Sequence, residues 1–437
     1  MRGECTTISV EEYAKKRSRY IQGCYPNIFP VPFVEGKGIR LKGLDGKEYI
    51  DFFAGIAVNN AGYCHPTIVK AIQTQSNLLG HVLWHNLPMV QLAEEIASLA
   101  PKGLSKVYLC NSGNEAVEAV VKLSKKYAVR SGKVGSHVVV LDHAFHGRGG
   151  LTLSLTGESA YKHGMGIFAN YPGVTFAPTP YCYRCQLECP SCGFECAAKI
   201  DDILNYHLGP ENIACVIVEP VLGEGGIIVP PDGYLERVQK SCKTAGVTFV
   251  LDEVQTGFGR TGKMFASEHW GLGPDIISMG KALGGGLPLA GMIATEAVNS
   301  AWSAGDHATT FSSNPICCVA GLAMIKVIRE ERLVENSAKV GKYIIKEIKA
   351  MTSKNPKVGD VRGLGLMIGV ELVKDVKTKE PAKEEATKVK EELFKKGLII
   401  GTGGIRKNML RLQPPLTITM KDADILLDAL DETLKAI

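Results

Sequence analysis

Residues 275–291 read DIISMGKALGGGLPLAG, and residues 247–260 read VTFVLDEVQTGFGR. Each opens on a short apolar run rich in β-branched residues, the composition of a buried strand. Each then ends that run on a charge: Asp252 at the close of the second, Lys281 one glycine beyond the first. Similar runs occur at 106–110, 136–142 and 213–220, and with 247–253 and 275–280 they make five strand candidates. The segments NEAVEAVVKLSKKYAVRSG and GYLERVQKSCKTAG lie among them, with apolar residues at helical spacing and a glycine stop. Apolar strands alternating with amphipathic helices predict an α/β fold with a mostly parallel sheet covered on both faces.

The ends of the chain read differently. Residues 35–53 predict a β-hairpin turning at Asp45-Gly46. Beyond about residue 325, Lys/Glu-rich helices flank VRGLGLMIGVELV, a candidate strand pair. A smaller α+β domain built from both termini is expected. Residues 1–65 and 326–437 would supply it, and 66–325 would form the large domain with a cysteine-rich insert at 181–197.

Bulk properties exclude several classes of function. The chain has 437 residues, 45% hydrophobic and 22% charged, with a net charge of +5. That charge is mild for the length, and no basic cluster carries interleaved aromatics, so nucleic acid is not expected as a partner. No apolar run approaches the roughly 20 residues of a membrane span, so no membrane association is expected. The start, MRGECTTISVEEYAKKRSRY, lacks the apolar core of a leader peptide. A cytoplasmic location follows as the expectation.

The candidate chemistry gathers at strand ends, where open α/β sheets bind ligands. A lone lysine is normally a solvated surface residue. Lys281, however, is followed by Gly284, Gly285 and Gly286, which let a bulky group approach the backbone. A desolvated lysine amine forms Schiff bases with carbonyls. Asp252 ends a buried strand, which is costly unless it meets a cation or several donors; a helix cap is the plainer reading. A pyridinium nitrogen is such a cation, and pyridoxal phosphate requires both a Schiff-base lysine and an acidic ring partner. In CNSGNEAVEA, 110–119, Ser112, Gly113 and Asn114 precede a helix, an arrangement that binds phosphate but also caps helices everywhere. In DHAFHGRGG, 142–150, Phe145 and His146 are placed to lie against a planar ring, and Arg148 offers a fork for a carboxylate.

Together these motifs resemble the class III (ω-amino acid) aminotransferases, which are pyridoxal-phosphate enzymes of fold type I, the aspartate-aminotransferase-like fold. The resemblance runs from IDFFAGIAVNNAGYCHP to MLRLQPPLTIT, and VLDEVQTGFGRTG followed by MGKALGGGLPLAG is its most specific part. Within that class the sequence is most similar to the 4-aminobutyrate-type members. The resemblance implies that Lys281 joins the cofactor aldehyde and then shuttles a proton, while Asp252 pairs with the ring nitrogen. It implies that Val254 and Phe145 pack on opposite faces of the ring, with His146 beside it, and that Gln255 bonds the phenolic oxygen. Ser112, Gly113 and Asn114 would cradle the phosphate, and Glu219 would support the region of Asp252 and Gln255. Thr310 would reach the phosphate of a neighbouring subunit, making the enzyme a homodimer or dimer of dimers. Ile56, Arg148, Glu224 and Arg411 would contact substrate. Arg411 would hold an α-carboxylate, Arg148 a distal one, and Glu224 would pair with Arg411 whenever the donor lacks an α-carboxylate.

The resemblance therefore implies transfer of an amino group from an ω-amino acid, 4-aminobutyrate, to 2-oxoglutarate, giving succinate semialdehyde and glutamate. No metal is assigned to the reaction. An amino-acid racemase or epimerase on the same scaffold is a rival, as is an ornithine- or lysine-type aminotransferase. A non-catalytic metal-binding role for the insert is a third. PYCYRCQLECPSCGFECAAK departs from the common class III pattern and carries Cys182, Cys185, Cys189, Cys192 and Cys196, with a Cys-Pro step at 189–190. Metal ligation, disulfides and free thiols all remain open for it.

Overall fold

The computed structural model of the protein describes residues 8–187, 189, 191–352 and 355–437. Most of the stretch read for a leader is described; its first seven residues, and Pro190 of the Cys-Pro step, lie outside that set. Among the described residues no helix is long and apolar enough to cross a membrane.

The centre of the molecule is a seven-stranded sheet. Its strands are β1 (Leu104–Cys110), β2 (His137–Leu141), β3 (Val174–Ala177), β4 (Ile213–Val218), β5 (Thr248–Asp252), β6 (Ile276–Met279) and β7 (Ala290–Thr295). Their order across the sheet is β1-β7-β6-β5-β4-β2-β3. β3, β2, β4, β5 and β6 are mutually parallel, and β7 runs antiparallel to both β6 and β1. Each of the five strands expected from sequence is present. β4 and β5 are buried at every position, because helices cover both faces of the sheet. The two expected helices are α1 (Gly113–Arg130) and α2 (Tyr234–Ala245), the latter stopped by Gly246 in the left-handed conformation.

β3 and β7 are not legible as strands in the sequence. β3 is a four-residue edge strand, only partly buried. β7 reads AGMIAT, too poor in β-branched residues to stand out. The neighbouring backbone explains its composition. A Cβ at Gly291 would sit 2.2 Å from the carbonyl oxygen of Tyr108 on β1.

The hairpin at Asp45-Gly46 joins Arg40–Gly43 to Glu48–Asp51, with Gly46 at φ +80°. The segment before it adds a third strand, Phe33–Lys37, rather than extending the hairpin. From the far end of the chain, Leu398–Ile399 pairs parallel with Glu48–Asp51. The strand pair expected in VRGLGLMIGVELV is Val358–Leu364 with Met367–Asp375, turning at Gly365. Met409–Leu412 pairs with the second of these, and this small sheet delivers Arg411.

Replacing Gly291 by alanine forces a methyl group into the β1 backbone. The expected cost is about 1–3 kcal/mol, read as a lower midpoint in urea unfolding of the cofactor-free protein. An unchanged midpoint would contradict the close approach of the two strands.

Candidate active site

Four strands of the large sheet end on the same cavity. β1 leads into Ser112 and the start of α1, β4 into Glu219, β5 ends at Asp252, and β6 leads through Gly280 to Lys281. The loop after β2 brings Phe145, His146 and Arg148. The cavity measures about 270 Å³, and its lining includes Gly113, Asn114, Phe145, His146, Arg148, Glu219, Glu224, Asp252, Val254, Gln255 and Lys281. Strand register explains why residues distant in sequence meet here. Asp252 lies directly across from Ser278 on β6.

Asp252 is 4% exposed and fully hydrogen-bonded on its protein side. Its Oδ1 accepts from the Ser278 hydroxyl at 3.0 Å and the Val254 amide at 3.1 Å. Its Oδ2 lies 2.7 Å from Nδ1 of the buried His146. Burial alone would lower the basicity of His146, but its hydrogen bond to Asp252 and that charge outweigh burial and raise its pKa. The other ring nitrogen, Nε2, is buried without a partner among the described residues.

Lys281 opens a short 3₁₀ turn, Lys281–Gly284, at φ +46°. Burial pushes its amine down from 10.5 to about 8, against the opposing pull of Glu224. A substantial neutral fraction, the nucleophilic form, is therefore present near neutral pH. Glu219 braces the opposite wall: its carboxylate accepts from the Phe145 amide at 2.7 Å and the Gly223 amide at 2.8 Å. Burial raises its pKa to about 7.

Arg411 and Glu224 form a bidentate pair, with both N–H···O distances at 2.8 Å. Arg411 is 2% exposed. The charge of Arg411 overcomes burial and holds the Glu224 carboxyl below its ordinary value. Gln413 donates to Oε1 of Gln255 at 3.0 Å, so the Gln255 amide nitrogen is the end that can donate into the cavity. Gly223 permits this packing, since a Cβ there would lie 2.3 Å from Gln255. Arg148 is exposed, its guanidinium 4.1 Å from the Tyr161 ring centroid and 5.9 Å from that of Phe145.

Five expected residues lie outside this lining or are differently engaged, among them Arg411, which meets the lining through Glu224. Ser112 caps α1 by accepting from the Glu115 amide at 3.2 Å; the amides that open a helix have no acceptor within it and can receive an anion. The side-chain oxygen of Asn114 is committed to the loop after β2, accepting from the Gly149 amide at 2.8 Å. Thr310 is exposed, away from the cavity of its own chain. Ile56 sits at φ +67° and packs in a cluster with Tyr49 and Phe53 rather than lining the cavity. Phe53 underlies Arg411, 5.4 Å from its guanidinium. Sequence reasoning missed Ser278, Tyr161 and Gln413. Ser278 is the lone hydroxyl in the apolar run of β6; no local signal marks the other two.

Matches to known proteins agree with this geometry. The family model "Aminotransferase class-III" matches residues 21–434. The chain belongs to the class III aminotransferases. It is 40% identical to an acetylornithine aminotransferase of Methanosarcina acetivorans, covering 96% of this chain and 95% of that one. It is 36% identical to a probable 4-aminobutyrate aminotransferase of Bacillus subtilis, covering 94% and 95%. The structure of a Bacillus anthracis aminotransferase superposes with a TM-score of 0.92 at 28% identity, covering 98% of each chain.

The fold is thus type I, and the cofactor of this class III enzyme is pyridoxal phosphate. The cavity fits that group: it offers an amine of lowered pKa, a helix N-terminus, a hydrogen-bonded carboxylate and an orphaned imidazole nitrogen. Gly113 is needed at its wall, because a Cβ there would meet Val254 at 2.8 Å.

Two measurements test the site. Cofactor-free protein mixed with pyridoxal phosphate should gain visible absorbance at a rate that climbs with pH up to about 8 and levels off above it, as the Lys281 amine loses its proton. A rate that falls over the same range would contradict a buried, neutralised amine. Ser278→Ala removes one hydrogen bond worth about 1 kcal/mol from Asp252, so kcat should drop roughly fivefold with the fold intact.

Proposed function

We propose that the enzyme takes its amino group from a substrate whose reacting carbon carries no carboxylate, with 4-aminobutyrate as the donor and 2-oxoglutarate as the acceptor. The observation that carries this reading is the closed Glu224–Arg411 pair. One pocket must receive two substrates in turn. An ω-amine brings nothing to neutralise Arg411, and a buried unpaired guanidinium is costly. Glu224 supplies the missing carboxylate. When glutamate or 2-oxoglutarate enters, its own α-carboxylate replaces Glu224, which swings away without backbone movement. Arg148, held on the rings of Tyr161 and Phe145, receives the distal carboxylate.

Pyridoxal phosphate supplies an aldehyde for the amine and a protonated ring that draws electrons from the reacting carbon. The chain's own residues do the rest. Lys281 would take a proton from the reacting carbon of the substrate and return it. Asp252, oriented by Ser278, Val254 and His146, would hold the proton on the ring nitrogen. Gln255 would donate to the phenolic oxygen, and the first turn of α1 with Ser112 would hold the phosphate. Val254 and Phe145, which line the cavity, would confine the ring.

The same reading makes the active unit a dimer, with Thr310 completing the phosphate site of its partner. In support, Thr310 adjoins exposed apolar side chains: Phe311 is 61% exposed, Leu83 49% and Trp84 42%. Trp84 donates to the Thr309 carbonyl at 3.2 Å, tying the two segments together.

A second reading has its own support. The relative at 40% identity is an acetylornithine aminotransferase. Acetylornithine also presents a distal amine with no carboxylate on its carbon, so the Glu224–Arg411 pair suits it equally. The two donors differ in length, which the Arg148–Tyr161 side of the pocket would sense.

Amino transfer from 4-aminobutyrate, N-acetylornithine and ornithine to 2-oxoglutarate separates these readings by kcat/KM. Glu224→Gln tests the paired-carboxylate logic. In single half-reactions it should slow the ω-amine half by about tenfold or more, the equivalent of ~1.4 kcal/mol, and leave the glutamate half within about twofold. Equal damage to both halves would sink the proposal.

A further inference from the structure

The cysteine-rich insert lies outside the reaction described above. Among the described residues no group of three or more His, Cys, Asp or Glu side chains is arranged to hold a metal ion. The thiols are gathered instead as close pairs. Cys182 and Cys189 face each other with their sulfurs 2.7 Å apart. This is closer than two non-bonded sulfurs rest, and sulfur geometry allows a bond to form with little backbone movement. Cys189 in turn hydrogen-bonds Cys192. All five insert cysteines line one surface cavity of about 460 Å³, together with Arg184, Lys199 and Arg406.

The three thiols differ in environment. Cys182 and Cys189 have raised pKa values, burial being the main cause in each. Cys192 shifts the other way, chiefly because the Phe194 amide donates to it at the start of helix Glu195–Asp202. The segment holding Cys182 is firmly seated. Tyr181 and Arg184 on either side of it bind the buried Glu371, Arg184 Nε at 2.7 Å.

We infer that the insert is a thiol–disulfide exchange site, in which Cys182 and Cys189 form a reversible disulfide and Cys192 is the thiol that reacts with a low-molecular-weight disulfide such as oxidised glutathione. The steps balance. The Cys192 thiolate attacks the external disulfide and expels one thiolate, leaving a mixed disulfide. Cys189 displaces the second small thiol and forms a bond to Cys192. Cys182 then attacks the Cys189 sulfur and returns Cys192 as thiolate. The net change converts two protein thiols and one small disulfide into one protein disulfide and two small thiols.

The test uses the full-length holoenzyme. It is equilibrated in buffers of varied reduced-to-oxidised glutathione ratio, quenched in acid, alkylated and cut with trypsin. Cleavage after Arg184 separates Cys182 from the peptide holding the other four cysteines. The expected result is one cross-linked pair of peptides, joined through Cys182 and Cys189, that appears in oxidising buffers and disappears in reducing ones. Cys192→Ser should slow its formation about tenfold while leaving the final ratio unchanged. Alkylation of all five thiols at every ratio would overturn the inference, as would a different pairing. So would a zinc or iron ion retained in stoichiometric amount and blocking alkylation. An unchanged rate in Cys192→Ser would overturn the role of that residue. The wild-type mapping needs no variant to fold.

Discussion

A carboxylate buried at the end of the central strand sets the terms for everything around it. Asp252 cannot stand in that position without several donors, because desolvating an unpaired carboxylate costs far more than a typical protein has to spare. The sheet supplies one donor from the strand alongside, Ser278, and one from the turn that follows, Val254. The third, His146, comes from the loop after β2, two strands away across β4. Holding Asp252 therefore fixes the relative positions of three strand ends. That framework in turn aims Lys281 and Phe145 at a common space.

A second pair of charges closes the cavity from the other side. Arg411 comes from the small sheet and Glu224 from the loop after β4, so their two hydrogen bonds join the parts of the molecule that meet at the site. Arg362 strengthens that junction by donating to the carbonyls of Gly226 and Ile227. Arg362 also binds Glu371, which holds Arg184 of the cysteine-rich insert. The insert is thus tied by a continuous chain of charged contacts to the loop that carries Glu224. The Lys281 amine feels both this pair and Asp252: burial lowers its pKa, while the charges of Glu224 and Asp252 oppose the drop.

Much of this was legible in the sequence for a plain reason: alternating apolar runs and amphipathic segments report burial directly. Strands β1, β2, β4, β5 and β6 and both helices between them were visible that way, and so was the hairpin at Asp45-Gly46, because Gly46 meets the positive φ its turn demands. β7 was not visible. Its glycine and alanines are dictated by how closely Tyr108 approaches from β1, a constraint that exists only once the sheet is assembled. The first strand, Phe33–Lys37, was merged into the hairpin because antiparallel neighbours share one alternation.

The sequence by itself determined the chemical inventory: an amine after one strand, a carboxylate ending another, small residues before a helix, and the family they belong to. Only the tertiary structure decided how those groups are coupled. Ser278 and Asp252 are 26 positions apart and meet through strand register, Tyr161 and Arg148 through a ring contact, and Arg411 and Glu224 through the meeting of two sheets. The reason is physical. Local sequence fixes which face of an element is buried. The distance between charges on different elements depends on packing, and electrostatic coupling falls with that distance.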